Sequence, residues 1–307
     1  MRANSPIISL RPENRGAHIP DVRALLAELV DSDASDLHLK VPGRPMLRIG
    51  KQLVSTKHER LMPRDVEEYA AWVAHASGAD LGGELRVAFG IEGLGRFRAH
   101  VGKQRGSWEV VIHRVSTTPP ALDDLGELEA FGKALECGSG LILVAGSRDR
   151  RALIAAGIRY LNERAGGRIV SIESPMGWLH RDSAASVSQR EVGIDVPSVS
   201  DAFESCGWQD PDAVFVDDLP TAADVEAALR MAEEGIMVVA GIAVAEPGEA
   251  VRAFVGRLPS AREAEVCARM SDVLVGVAGM DRAQAASWVP LQADQRELLR
   301  AGIVARF

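Results

Sequence analysis

Five short, almost uninterrupted apolar runs in the second part of the chain constrain the fold more than any other feature. They read GLILVA (140–145), RIVSI (168–172), DAVFVD (212–217), IMVVAGI (236–242) and DVLVGVAG (272–279). Helical patterns separate most of them, at 150–163, 199–206, 221–234, 247–257 and 261–270. Strands that do not alternate polar with apolar residues are buried on both faces, and intervening helices favour parallel pairing. The sequence therefore predicts a mostly parallel α/β domain over residues 128–307.

The first part of the chain has a different pattern. Over residues 20–115, two amphipathic helical segments alternate with short strands separated by glycine turns, which predicts an α+β domain. Residues 1–19 are polar and contain prolines, so we expect them to be loosely ordered. The composition of STTPPALDDLGE (116–127) predicts a linker between the two domains.

Charge and composition exclude several classes of function. The net charge of −8 argues against general nucleic-acid binding, because neutralising phosphates needs a basic surface. The chain has no apolar targeting segment at its start and no run of 18 apolar residues, so we expect a cytoplasmic protein without direct membrane insertion. If the protein lies at the inner face of a membrane, we expect partner proteins to hold it there. Three widely spaced cysteines predict neither a disulfide framework nor a metal site.

Several segments between about residues 20 and 280 resemble, in consistent order, the PilT/PilU branch of the type II/IV secretion ATPases. ASDLHL (34–39), RPMLRI (44–49) and GRFRAHVGKQRG (95–106) resemble the N-terminal domain of that branch. GLILVAG, VSQREVGID (187–195) and DPDAVFVDD (210–218) resemble its strand before the phosphate loop, its VNQREVG segment and its Walker B strand. The resemblance implies a PAS-like α+β domain, a RecA-like P-loop NTPase domain and a ring of six chains, with nucleotide near N-terminal arginines.

The phosphate loop departs from the family pattern. A Walker A loop, GxxxxGK[ST], uses glycines to bring N–H groups to the phosphates, a lysine and a magnesium-binding hydroxyl. Counted from Gly146, that spacing places Arg151 at the glycine, Ala152 at the lysine and Leu153 at the hydroxyl, and a shorter loop does not restore them. Two interpretations stay open, an unorthodox anion site and a charged surface turn. The candidate nucleotide-binding residues are Gly146, Ser147, Arg148, Asp149, Arg150, Arg151, Ala152 and Leu153.

Three further family motifs are altered. The acidic box keeps Glu173 but has Ser174 and Gly177 where the family carries carboxylates, and the histidine box (235–244) has no histidine. The Walker B glutamate falls at Asp218, whose side chain is one methylene shorter, and Asp217 replaces a glycine. Two adjacent carboxylates are compatible with a metal ion, but a solvent-exposed strand end is the favoured interpretation.

The arginines of the first domain follow the family more closely. Arg96, Arg98 and Arg114 occupy the places of family arginines, so they are candidates for anion or interface contacts. The alternative is that they are solvated strand residues.

These departures favour a catalytically inactive PilT-like homologue, a regulatory or assembly subunit of a type IV pilus (twitching motility) or type II secretion system. We assign no catalytic residue: Glu173, Asp217 and Asp218 are expected to be degenerate counterparts of the family's catalytic residues, and we expect no metal and no resident cofactor. The expected partners are copies of itself or PilT-like ATPases in a ring, or the pilus or secretion machinery. Two alternatives stay open: an active but unorthodox NTPase using ATP and Mg²⁺, and a sensor that binds nucleotide without hydrolysis. After Met280 the family's longer helical region is not recognisable, so a shortened C-terminus is expected.

Overall fold

A computed structural model describes residues 20–147, 150–280 and 286–304. The chain divides into two compact units, Met1–Val115 and Ser116–Phe307. The N-terminal segment 1–19, expected to be loosely ordered, lies outside the described residues. The predicted linker 116–127 is counted within the second unit, where its Leu122 is buried in the core.

The first unit is an antiparallel sheet with two helices on one face. Its helices α1 (Val22–Asp31) and α2 (Pro63–Ser77) share a core with the inward residues of the sheet. The strands are β1 (Asp36–Lys40), β2 (Met46–Ile49), β3 (Gln52–Ser55), β4 (Leu85–Ile91), β5 (Gly95–Gln104) and β6 (Ser107–Arg114). Their order in the sheet is β3-β2-β1-β6-β5-β4.

The second unit is built on a seven-stranded sheet. Its strands are β7 (Gly140–Ala145), β8 (Gly167–Glu173), β9 (Ala185–Glu191), β10 (Ala213–Val216), β11 (Met237–Ile242), β12 (Leu274–Met280) and β13 (Ala286–Pro290). The order is β13-β12-β7-β11-β10-β8-β9, and every neighbouring pair is parallel except β12 with β13. The five predicted apolar runs correspond to β7, β8, β10, β11 and β12.

Helices cover both faces of this sheet. They are α3 (Glu129–Leu135), α4 (Arg150–Arg164), α5 (Val199–Cys206), α6 (Ala222–Glu233), α7 (Ala250–Val255), α8 (Glu263–Val273) and α9 (Ala293–Arg300). Leu141 and Leu143 of β7 pack in the core with α5 to α8, whereas Ile142 and Val144 pack in the core with α3 and α4. A strand with an apolar layer on each side has no polar face, which explains the uninterrupted apolar run.

The topology also fixes where polar groups gather. Because β7, β11, β10 and β8 are parallel neighbours, their carboxyl ends lie along one edge of the sheet, the usual position of ligand sites in such folds. Gly146, Ser174 and Asp217 follow β7, β8 and β10 at that edge. Within the described residues, no helix combines the length and the apolar character needed to cross a bilayer.

Candidate functional site

The guanidinium of Arg150 is the centre of the site, and it is almost completely buried, with 7% of the residue exposed. Its Nε donates to the backbone carbonyl of Asp217 at 2.9 Å. Its Nη1 donates to the carbonyl of Gly146 at 3.3 Å and to that of Ser147. Arg150 therefore lies beneath the loop that follows β7 and binds the loop through its oxygens.

This arrangement has the opposite polarity to a phosphate cradle. A phosphate loop directs its backbone N–H groups at an anion. Here the carbonyl oxygens of Gly146 and Ser147 face a cation that belongs to the chain itself. The interpretation of this loop as a charged surface turn is wrong for Arg150, because its side chain is buried and donates to the carbonyls of Gly146 and Ser147. Arg148 and Asp149 lie outside the described residues.

Two glycines make room for Arg150. Gly146 has φ of 146°, and a Cβ there would lie 3.2 Å from the backbone nitrogen and Cβ of Arg150. On β11, a Cβ at Gly241 would lie 2.0 Å from the Asp217 carbonyl oxygen and 3.1 Å from Arg150 Nε. Gly241 lies in the histidine-box segment, where sequence reasoning considered only the missing histidines and did not identify this glycine.

Asp217 is buried and is held by two donors. Its Oδ2 accepts a hydrogen bond from the backbone N–H of Ser174 at 3.0 Å and lies 3.3 Å from Arg151 Nε. Arg151 also donates to the carbonyl of Ser174. The expected solvent-exposed strand end is therefore wrong for Asp217, because only 5% of the residue is exposed. Burial raises the pKa of Asp217 to about 6 although Arg151 opposes the rise, and the nearby Glu173 reinforces it.

Asp218 joins two arginines. Its Oδ2 lies 3.4 Å from Arg150 Nη2, and its Oδ1 accepts a hydrogen bond from Arg257 Nη1 at 3.2 Å. Each carboxylate of the predicted pair thus has arginine partners. Arg257, just beyond α7, was not a sequence candidate, and no local pattern distinguishes it from other arginines. Among the described residues, no group of three or more His, Cys, Asp or Glu is arranged to hold a metal ion.

Glu173 anchors the loop that follows β8. Its Oε1 accepts hydrogen bonds from Ser171 Oγ at 2.7 Å and from Gln189 Nε2 at 2.8 Å. Its Oε2 accepts a hydrogen bond from the backbone N–H of Gly177 at 3.0 Å. Burial raises the pKa of Glu173, and these hydrogen bonds oppose the rise. The structure thus brings Glu173, Asp217, Asp218, Arg150 and Arg151 to one edge of the sheet, and adds Gln189 from β9.

The remaining candidates lie elsewhere. Leu153 is fully buried in the core beneath α4, so the position that the spacing assigns to a hydroxyl points into the apolar interior, and Ala152 is half-buried. In the first unit, Arg96 and Arg98 are half-buried on the face of β5 opposite Phe97. Arg114, at the end of β6, donates to the Asp33 carboxylate at 3.1 Å.

A cavity of about 190 Å³ adjoins the charged groups. Its polar wall contains Arg150, Arg151, Glu173, Ser174, Asp217 and Asp218. Its apolar wall contains Ile172, Val192, Val199 and Pro220.

The mostly parallel sheet, the loop and helix that follow β7 and the acidic end of β10 define a RecA-like domain of the P-loop NTPase fold, preceded by an α+β domain. This confirms the predicted fold class. The ATPase DotB of Legionella pneumophila shares the fold, with a TM-score of 0.73 over 93% of this chain and 85% of that chain, at 16% identity.

Sequence comparisons find similar proteins of known function. No family model matches the sequence. The chain is 26% identical to the type IV pilus ATPase PilU of Pseudomonas aeruginosa over 247 residues, which are 79% of this chain and 65% of PilU, just under two thirds. It is 27% identical to the retraction ATPase PilT of the same organism over 272 residues, 84% of this chain and 76% of PilT.

A solved structure agrees with these comparisons. The crystal structure of the pilus retraction motor PilT with bound ADP matches with a TM-score of 0.78 at 28% identity, covering 90% of this chain and 84% of that chain. These comparisons confirm the resemblance to the PilT/PilU-like type IV pilus ATPases of the secretion ATPase family that the sequence motifs implied.

Proposed function

We propose that this chain is a catalytically inactive, PilT-like regulatory or assembly subunit of a type IV pilus or type II secretion system. The observation that supports this most strongly is the position of the Arg150 guanidinium against the carbonyl oxygens of Gly146, Ser147 and Asp217. A phosphate group needs donors at this loop, whereas the loop presents acceptors that are already bound.

The energetics argue in the same direction. A phosphate in the loop would displace Arg150 and leave Asp218 and three carbonyl oxygens short of a hydrogen-bond donor. Each buried acceptor left unsatisfied costs about 1–3 kcal/mol, and more when it is charged. Neither Ala152 nor Leu153 offers a lysine or a hydroxyl in return. Nucleotide binding would thus have to offset several kcal/mol before it gained affinity.

The proposed mode of action is contact with other subunits. The segments that resemble the family most closely, 34–39, 95–106 and 187–195, are retained beside the altered chemical motifs. We propose that they form a ring-type interface with copies of this chain or with a competent PilT-like ATPase, in the cytoplasm at the inner face of the membrane. In a mixed ring, an inactive subunit would alter coupled hydrolysis by its neighbours.

Direct binding and turnover assays test this proposal. Titration of the purified chain with ATP, with and without Mg²⁺, should give no binding at millimolar nucleotide, and phosphate release should stay at the level of a buffer blank. Saturable binding without release would instead identify a nucleotide sensor. Turnover that survives repurification, disappears in Asp218→Asn and persists in the distant control Asp210→Asn would identify an active NTPase and refute the proposal.

A further inference from the structure

The donors around the buried carboxylate of Asp217 are those that proteins use to bind oxyanions. A backbone N–H, from Ser174, and a guanidinium, from Arg151, converge on the same Oδ2 atom at 3.0 and 3.3 Å. Arginine and backbone N–H groups bind carboxylates, phosphates and sulfates through the same charge-assisted hydrogen bonds. In this chain the group bound there is a side chain of the protein, where the family strand carries glycine.

Three arginines and three other acidic groups surround the Asp217 carboxylate. From α4 it faces Arg150 and Arg151, and from β8 it faces Glu173, behind which lies Glu191 of β9. Asp218 follows it along the chain and holds Arg257 from beyond α7. His180, Asp217 and Arg151 line a second, small cavity, and burial lowers the pKa of His180 to about 4, so it is neutral above that pH.

Neutralising Asp217 changes this balance in favour of the arginines. Asp218, Glu173 and the more distant Glu191 then remain against three guanidiniums, and burial already favours the neutral form of Glu173. The cavity of about 190 Å³ gives access to Arg151 and Ser174. Its volume exceeds the roughly 30 Å³ share of one water molecule several-fold, which leaves room for a small tetrahedral ion.

We propose that Asp217 is a built-in competitor in an oxyanion site, and that a tetrahedral oxyanion such as sulfate or inorganic phosphate binds Arg151 and the Ser174 N–H when the Asp217 carboxylate is protonated or removed. The proposal rests on the proposed function, because it describes a site without nucleotide. Beyond that function, the site would bind a defined class of ligand, tetrahedral oxyanions, and would couple their binding to proton uptake. No covalent step is involved: one proton is taken up as one anion binds.

Sulfate is the suitable probe because its charge stays constant between pH 5 and 8. Isothermal titration of the full chain with sodium sulfate, at constant ionic strength, is carried out at pH 5.5 and pH 7.5. If only the chain with protonated Asp217 binds the anion, a pKa of about 6 makes the wild-type affinity for sulfate about 25-fold weaker at pH 7.5 than at pH 5.5. In Asp217→Asn the dissociation constant for sulfate should be low at both pH values.

Two further variants identify the site. Asp210→Asn, an equally conservative change at an exposed position, should bind like the wild type. Asp217→Asn combined with Arg151→Gln should lose at least tenfold in affinity relative to Asp217→Asn alone. Circular dichroism accompanies each titration, and the wild-type pH dependence tests the proposal without any substitution.

Several results would overturn the inference. They are a wild-type affinity that does not change with pH, a folded Asp217→Asn that binds no sulfate, and an Asp217→Asn that keeps the wild-type pH dependence. None of these measurements uses ATP. A failure here therefore leaves the inactive-subunit proposal in place, whereas ATP turnover would refute that proposal without affecting the sulfate result.

Discussion

Gly241 and Asp217 approach each other so closely that a Cβ atom on Gly241 would stand 2.0 Å from the Asp217 carbonyl oxygen. The same oxygen accepts the Arg150 Nε hydrogen bond at 2.9 Å. The bare Cα of Gly241 therefore provides the space in which the guanidinium and the strand end meet.

Replacing Gly241 with alanine should destabilise the second unit. The added methyl group meets backbone rather than a flexible side chain, so β10 or β11 must shift, and overpacking of this kind costs about 2–3 kcal/mol. Urea unfolding followed by circular dichroism measures the change. Gly177→Ala is the matched control, because a Cβ there meets nothing within 4 Å, and its effect should stay within about 0.5 kcal/mol. Equal effects for the two variants would contradict this account of Gly241.

Arg150→Ala should destabilise the chain by about 3 kcal/mol, because it leaves the carbonyls of Gly146, Ser147 and Asp217 without this buried donor and Asp218 with Arg257 alone. The vacated space has the shape and the acceptors for a free guanidinium. Millimolar methylguanidinium should therefore raise the melting temperature of Arg150→Ala in a saturable manner and leave the wild type unchanged or slightly less stable.

The matched control for Arg150 is Arg164→Ala, which removes a half-exposed arginine from the far end of the same helix. Its effect should stay below about 1 kcal/mol, without response to methylguanidinium. If Arg150→Ala is as stable as this control, the guanidinium is not a structural part of the loop.

Asp217→Asn should flatten the pH dependence of stability. The folded-state pKa of Asp217 is raised from its ordinary 3.8 to about 6, so the native state holds this proton more tightly than the unfolded chain does. The group contributes stability below pH 3.8 that is lost as the pH rises to about 6, on the order of 3 kcal/mol. Between pH 4 and pH 7, the free energy of unfolding should therefore fall less in Asp217→Asn than in the wild type, while Asp210→Asn should parallel the wild type.

Leu153→Ser should be strongly destabilising and should not restore ATP binding. It exchanges a fully buried leucine for a hydroxyl in an apolar core, which costs about 3 kcal/mol or more. Ala152→Ser, one residue earlier and half-buried, should stay within about 1 kcal/mol. Thermal unfolding and ATP titration of both variants test the assignment of Leu153 to the core, and a stable Leu153→Ser that binds ATP would contradict it.

Charge reversal at Arg96 and Arg98 tests the proposed interface. The double change to glutamate should weaken self-association, or association with a competent PilT-like ATPase, by at least tenfold, because it reverses two charges on the face of β5 opposite the core. Sedimentation velocity measures assembly, and circular dichroism verifies that the monomer stays folded. Arg64→Glu, a change at a highly exposed position on α2, is the control. A wild-type chain that remains a monomer at micromolar concentration, alone and with the ATPase, removes the interface proposal.

The fold could be predicted from sequence wherever burial leaves a periodic signal. The apolar runs located β7, β8, β10, β11 and β12 because each is buried on both faces. The strand β9 was not recognised, since only its terminal residues, Ala185 and Glu191, are buried and the residues between them are polar apart from Val187. The edge strand β13 was also missed, because it is only five residues long and none of them is fully buried.

The residues of the site could be predicted from the sequence, but their arrangement could not. Family spacing pointed to Glu173, Asp217 and Asp218 and to the loop arginines. It gave no indication that Arg150 turns inward, because that depends on the direction of the Gly146 and Ser147 carbonyls, which no side-chain pattern encodes. Gly241 and Arg257 act through contacts with residues 24 and 39 positions away in sequence, at Asp217 and Asp218.

The burial of Leu153 and Arg150 has a consequence for how such a chain can change over time. A return to a phosphate-binding loop requires a hydroxyl in place of a core leucine, the removal of a guanidinium that three carbonyls and a carboxylate accept, and a turn rebuilt to face the other way. Each step alone lowers stability, and none of them gives a phosphate-binding loop until the others are complete. Under the proposed function, this packing therefore acts as a ratchet that holds descendants of this chain away from hydrolysis.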